Sequence, residues 1–205
     1  MKISLEHIGR RFNREWIFRD VNYEFESNHT YAILGSNGAG KSTLLQVISG
    51  SLTSSEGIIH YSEGDKQIDQ DYVFLCQSMA APYLELIEEF TLSELIDFHF
   101  RFKKYRKGFD KRNLIELLGL KNSEFKALKH FSSGMKQRVK LALAFCSDTK
   151  LLLLDEPSSN LDQQGLDWYL NLAANECSDR LVIICSNQEQ EYSFCQHKIN
   201  LADYK

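Results

Sequence analysis

A short apolar run, Tyr31 to Leu34, leads directly into Gly35-Ser36-Asn37-Gly38-Ala39-Gly40-Lys41-Ser42-Thr43. Leu44, Leu45, Val47 and Ile48 then follow at helical spacing, and Gly50 closes the segment. The order strand, glycine loop, helix is the context that the pattern G-x-x-x-x-G-K-S requires. Gly35, Gly38 and Gly40 allow the backbone to wrap an anion in conformations that a Cβ disfavours. Loop N–H groups and the positive end of the helix face that anion. Lys41 brings a charge to the β and γ phosphates, and Ser42 offers an oxygen to Mg²⁺. The loop commits the chain to an α/β sheet with a triphosphate site at its carboxyl edge.

Three further stretches carry chemistry. Leu151-Leu152-Leu153-Leu154-Asp155-Glu156-Pro157 is a buried strand ending in two carboxylates. Downstream of a phosphate loop, Asp155 is placed to hold Mg²⁺ and Glu156 to activate water; without that loop it would read as an acidic surface pair. His130-Phe131-Ser132-Ser133-Gly134-Met135 opens a helix with free N–H groups and a hydroxyl, a second anion site. An ordinary helix cap accounts for the serines there but not for the glycine. Gln77, after the apolar run Tyr72 to Cys76, is expected to end a strand within reach of the metal.

These motifs, in this order, resemble the ATP-binding cassette (ABC) ATPases: Gly35 to Thr43, Gln77, FSSGMKQR (131–138), LLLLDEP and SSNLD (158–162). The resemblance covers nearly the whole chain. It implies ATP and Mg²⁺ as ligands, with Gly35, Ser36, Asn37, Gly38, Ala39, Gly40, Lys41, Ser42 and Thr43 around the triphosphate. Ser42, Gln77 and Asp155 would attend the metal, and Glu156 would be the general base. Ser132, Ser133 and Gly134 would meet the γ-phosphate held by a second chain, with Asp162 at the seam. An aromatic should stack on adenine, with Phe12 the better match and Trp16 the alternative. The family's usual L-S-G-G-Q reads Phe131-Ser132-Ser133-Gly134-Met135 here. Where a histidine usually follows the next strand, Leu181 to Cys185, this chain has Asn187. An amide donates but carries no positive charge, so slow hydrolysis is expected. A second reading of Asn187, as a cap on the following helix, stays open.

The implied function is the ATPase subunit of a transporter, driven by ATP-dependent closure of a homodimer, or of a heterodimer with a related cassette, against separate transmembrane permease subunits. A soluble ABC ATPase or an ATP-binding switch is the alternative. The expected location is cytoplasmic, at the inner face of the membrane. No apolar run approaches a membrane span, and the first residues lack a signal-peptide core. A net charge of −4 argues against a nucleic-acid partner. Five cysteines without C-x-x-C spacing indicate neither a disulfide framework nor zinc.

The fold class expected is a P-loop α/β domain of ABC type with an N-terminal antiparallel β subdomain and a small helical insert. One domain is expected over residues 1–205, with 1–79 and 132–205 forming the nucleotide-binding core and 80–131 the helical part. In that insert Thr91-Leu92-Ser93-Glu94 has capping-box spacing, and a second helix is expected from about Asp110 to a stop at Gly119. Helices at about 133–146 and 163–176 flank the LLLL strand. The aromatics Tyr83, Phe90, Phe98, Phe100, Phe102 and Tyr105 mark the expected dock for a membrane partner.

Overall fold

A computed structural model describes all 205 residues. Two sheets face each other across one helix. The first is antiparallel and contains β1 (Lys2–Phe12), β2 (Glu15–Glu26), β4 (Glu56–Glu63) and β5 (Lys66–Ile68), in the order β2-β1-β4-β5. The second is parallel and contains β3 (Thr30–Leu34), β6 (Gln77–Ala80), β7 (Leu151–Asp155), β8 (Leu181–Cys185) and β9 (His197–Asn200), in the order β6-β7-β8-β3-β9. Helix α1 (Lys41–Ile48) lies between the sheets.

The two faces of the parallel sheet explain the unbroken leucine run. Successive strand side chains point to opposite faces. Leu151 and Leu153 therefore join Ile3, Phe18, Phe25, Leu44 and Ile48 on the side of α1 and the antiparallel sheet. Leu152 and Leu154 pack on the other face against Leu141 and Phe145 of α4 (Ser133–Phe145) and Leu166 and Tyr169 of α5 (Gln163–Glu176). A strand covered on both faces has no polar side to present.

The first 26 residues alternate poorly because the β1–β2 pairing contains register shifts between Leu5 and Arg11. His7 and Asp20 take positive φ, and Asn22 accepts a hydrogen bond from the His7 N–H at 2.8 Å. Glu15–Glu26, which carries the apolar groups Trp16–Phe18 and Val21–Phe25, is thus one bulged strand.

One expected element is not formed. Tyr72 to Cys76 is not a buried strand; Gln70–Cys76 is a 3₁₀ helix capped by Asp69. Only Val73 points inward, while Tyr72, Phe74 and Leu75 are more than half exposed. The parallel strand begins one residue later, at Gln77.

Between β6 and α4, helices α2 (Leu92–His99) and α3 (Lys111–Leu118) pack on α4 through Leu92, Ile96, Leu114, Leu118 and Val139. The capping box is present: Thr91 accepts from the Glu94 N–H at 3.2 Å, and Glu94 accepts from the Thr91 N–H at 2.8 Å. Asp110 caps α3, and Gly119 ends it in the left-handed region. Arg106 binds Glu176 at 2.7 Å and so ties this region to α5. Thr91→Ala should cost about 1 kcal/mol of unfolding free energy, measured by urea titration, by leaving the Glu94 N–H without its acceptor at the start of α2.

Candidate functional site

The carboxyl ends of the parallel strands assemble the site. Register places Ile33, Cys185 and Asp155 in one row, and Leu154 beside Ala80. The glycine loop leaves β3 at the end of that row. Gly35, Gly38 and Gly40 all have positive φ. A Cβ on Gly40 would run into the Ile17 side chain, so the loop lies tightly against β2. Lys41 is buried, and its Nζ donates to the Gly35 and Ser36 carbonyls at 2.9 and 3.2 Å. The ammonium thus braces the loop that it helps to charge. A hollow of 230 Å³ is lined by Ile17, Asn37, Gly38, Gly40, Lys41, Ser42, Thr43 and Glu156.

Asp155 is fully buried, and its Oδ1 has no hydrogen-bond partner. Burial pushes its carboxyl above the ordinary value; the Ser42 hydroxyl opposes this, Glu156 adds to it and Lys41 lowers it. An unpartnered carboxyl oxygen beside a serine hydroxyl is a hard-oxygen pair that suits Mg²⁺. Glu156 is held in the left-handed region at φ 43°, and its N–H donates to the Cys185 carbonyl at 2.8 Å. That turn directs it into the hollow of the glycine loop.

Asn187 does not cap the next helix. Helix α6 (Glu189–Tyr192) begins at Gln188 with no side-chain cap, and Asn187 Nδ2 donates to Asn37 Oδ1 in the glycine loop. The residue is exposed at the triphosphate loop.

Gln77 is the correction. It opens β6 opposite Leu151, whereas Asp155 lies at the far end of β7. Four residues at about 3.3 Å each separate the two levels. Its Nε2 donates to the Ser49 carbonyl at 2.9 Å. It therefore lies away from the metal position expected at Asp155. The chain emerging from the carboxyl end of β6 instead brings Tyr83 to Asp155. Burial raises the Tyr83 phenol above its usual range, Asp155 adds to the raise, and a hydrogen bond with Gln46 opposes it. Sequence reasoning missed Tyr83 because the apolar run Tyr72–Cys76 imitated the strand and moved the carboxyl edge back several residues. It also missed Gln137, fully buried in α4, whose Nε2 donates to the Pro157 carbonyl at 2.8 Å.

Phe12 lies near the β1–β2 turn, 46% exposed, with the Arg10 guanidinium 4.5 Å from its ring centre. Trp16 lies between Arg11 and Arg19. Neither lines the loop hollow; Ile17 does.

The helix start expected to form a second anion site is separate. Ser132 caps α4 and accepts from the Met135 N–H at 3.2 Å. Ser132, Ser133, Gly134 and Met135 line a 300 Å³ hollow with Arg138, Asn160, Leu161 and Asp162. A Cβ on Gly134 would lie 2.9 Å from the Asn160 carbonyl, which packs this helix start against the segment before α5. Asp162 caps α5, accepting from the Gly165 N–H at 2.8 Å. The two hollows share no residue.

A cassette with a triphosphate loop, a carboxylate-tipped strand and a detached serine–glycine helix start defines an ATP-binding class of protein. The ABC transporter family model matches residues 18–159. The chain is 35% identical over 198 residues to the energy-coupling factor transporter ATP-binding protein EcfA1 of Thermotoga maritima, covering 94% of this chain and 74% of that protein. It is 27% identical to the lantibiotic transport ATP-binding protein SrtF of Streptococcus pyogenes, covering 90% and 79%. Among solved structures, a putative ABC transporter ATP-binding protein of Pyrococcus furiosus superposes with a TM-score of 0.83 over the full length of both chains at 20% identity. A bacterial ABC transporter cassette solved as a dimer gives 0.79, at 20% identity over 97% and 94%. The chain belongs to the ABC transporter family and is one of its ATP-binding cassettes, an ATPase.

Asp155 predicts a pH-dependent stability. A carboxyl whose folded pKa is raised burdens the fold above the ordinary range near ~3.9 and not below it. Asp155→Asn should raise the melting temperature of the nucleotide-free protein at pH 7 by roughly 2–4 °C, the shift about 1 kcal/mol gives a chain of this size. The gain should shrink as pH falls toward about 4, as followed by scanning calorimetry.

Proposed function

We propose that this chain energises a separate transmembrane subunit through ATP-driven closure of two cassettes. The carrying observation is the division of the site. The glycine loop with Asp155 and Glu156 forms one open hollow, and Ser132–Met135 with Asp162 forms another. A head-to-tail pair, of two copies or of this chain with a related cassette, would set each hollow against the other's complement. ATP would then be shared across the seam, and its hydrolysis would release the pair.

In that arrangement the loop N–H groups and Lys41 hold the phosphates. Ser42 and Asp155 would hold Mg²⁺, which neutralises the charge developing on the phosphates. Glu156 accepts a proton from the attacking water. The Ser132 hydroxyl and the first N–H groups of α4 meet the γ-phosphate from the opposite chain. Asn187 supplies a neutral donor near Asn37. Tyr83 takes the place beside Asp155 that the resemblance gave to Gln77. A phenol held above its usual range stays protonated and is a weaker metal partner than an amide oxygen.

No helix is long and apolar enough to cross a membrane; in this reading the permease is a separate subunit and the cassette works at the cytoplasmic face. The docking surface is a groove of 380 Å³ whose lining includes Phe74, Leu84, His99, Lys103 and Leu143. Phe74, Leu75 and Tyr72 stand exposed beside it, and Lys103 Nζ fixes the rim by donating to the Phe74 and Gln77 carbonyls at 2.6 and 2.8 Å. Of the aromatics expected here, Phe100 and Tyr105 stack on each other at 3.6 Å, while Phe98 and Phe102 remain exposed.

Asn187 and Tyr83 together favour slow turnover, and a regulatory ATP switch without transport is the second reading. Glu156→Gln with MgATP should elute as a dimer in size-exclusion chromatography with light scattering, and Gly134→Ala in that background should abolish the dimer. A monomer in the first case overturns the shared-site reading. Asn187→His should raise turnover about tenfold, the effect of recovering roughly 1–2 kcal/mol of a charged hydrogen bond. Steady-state ATPase assays check this, and no gain means that Asn187 does not limit the rate.

A further inference from the structure

Glu191 is a fully buried acid with no cationic partner, and none of the roles above uses it. It lies in α6, four residues beyond Asn187. Its Oε1 accepts from the Ser158 N–H at 2.8 Å and from the Ser158 hydroxyl, and its Oε2 accepts from the Ser186 hydroxyl. Each oxygen therefore serves a different loop. Ser158 lies two residues after Glu156, and Ser186 lies immediately before Asn187. The helix that carries Glu191 is itself anchored, because the Tyr169 hydroxyl of α5 donates to the Glu191 carbonyl at 2.9 Å. Ser186 Oγ also accepts from the Gln188 N–H at 2.9 Å, which fixes the turn around Asn187.

We propose that Glu191 is a positioning residue for hydrolysis. Its carboxyl group bridges the loop of Glu156 to the loop of Asn187, so that the water-activating group and the γ-phosphate donor keep a fixed separation. A buried acid is costly to keep unless its oxygens are satisfied. Here three donors satisfy it, and all three belong to the two loops. Without the bridge, the carboxylate turn would keep its bonds to the Cys185 carbonyl and to Gln137, and the Asn187 turn its contacts with Gln188 and Asn37, but Glu191 would no longer link the two. A loss of about 1 Å in relative placement is enough to slow a reaction by two orders of magnitude. The nucleotide-binding loop takes no part in the bridge, so affinity should be spared. This inference rests on the ATPase reading.

Three variants test it in the full-length protein. Glu191→Met fills the space and removes both acceptors. It should lower kcat at least about tenfold while leaving MgATP affinity, from fluorescent-nucleotide titration, within about threefold. Glu191→Gln keeps the bridge, with its oxygen on Ser158 and its NH₂ on Ser186, and should retain kcat within about threefold. Ser186→Ala cuts one arm without removing the acid, so it stays informative if Glu191→Met does not fold. It should lower kcat and should speed amide hydrogen exchange in residues 156–160 as well as 185–189. Unchanged kcat in both Glu191→Met and Ser186→Ala overturns the proposal. So does equal loss in Glu191→Gln, which would make the acid itself, rather than the bridge, the active feature. Exchange confined to one loop in Ser186→Ala also overturns it. Should the unaltered protein show no turnover, the ATPase reading falls, and the exchange result still decides whether one side chain holds both loops.

Discussion

The parallel register of β3, β8 and β7 brings Ile33, Cys185 and Asp155 to the same level of the sheet. Three functional loops depart from that row: the glycine loop from β3, the carboxylate turn from β7 and the Asn187 turn from β8. A strand rises about 3.3 Å per residue, so a slip of one position would displace a catalytic group by more than a hydrogen-bond length and turn its side chain to the opposite face. Burial on both faces prevents such a slip. Leu151 to Leu154 and Leu181 to Cys185 are fully enclosed, with alternate residues committed to two different cores.

Above that rigid row the polar contacts are local and few. Lys41 binds carbonyls of its own loop, Glu156 is pinned through its backbone, and Glu191 and Gln137 reach the carboxylate turn from α6 and α4. The site is preorganised by groups one layer behind the surface that would meet nucleotide. Asp155 is the exception: its Oδ1 is buried and unpaired. An orphaned carboxyl oxygen is expensive when buried, and a bound cation would remove that cost.

Much of this was legible because the signals were local. A glycine loop between strand and helix, a leucine strand ending in Asp-Glu, a capping box at Thr91 and a stop at Gly119 each state their own geometry. Helix α5 spans the residues expected of it because Asp162 caps it and its apolar stripe sits at helical spacing. Gln77 failed for the converse reason. Tyr72 to Cys76 has the composition of a strand, but these residues form a 3₁₀ helix that presents its large side chains outward, and the weakly apolar Gln77–Ala80 pairs with β7 instead. Pairing partners and exposure are not properties of a run of residues taken alone. The bulges of β1 and β2, which hid one long hairpin, are likewise set by pairing.

The sequence by itself determined the chemistry: a phosphate-cradling loop, two carboxylates and a serine–glycine helix start. These follow from residue type and spacing, which a short segment carries complete. Only the tertiary structure decided which groups meet. It removed Gln77 to the amino end of its strand, brought Tyr83 to Asp155, set Asn187 against Asn37 and joined two loops through Glu191. Such meetings depend on which strands pair, in which register, and on which face each side chain emerges, and those choices are fixed by burial over the whole domain.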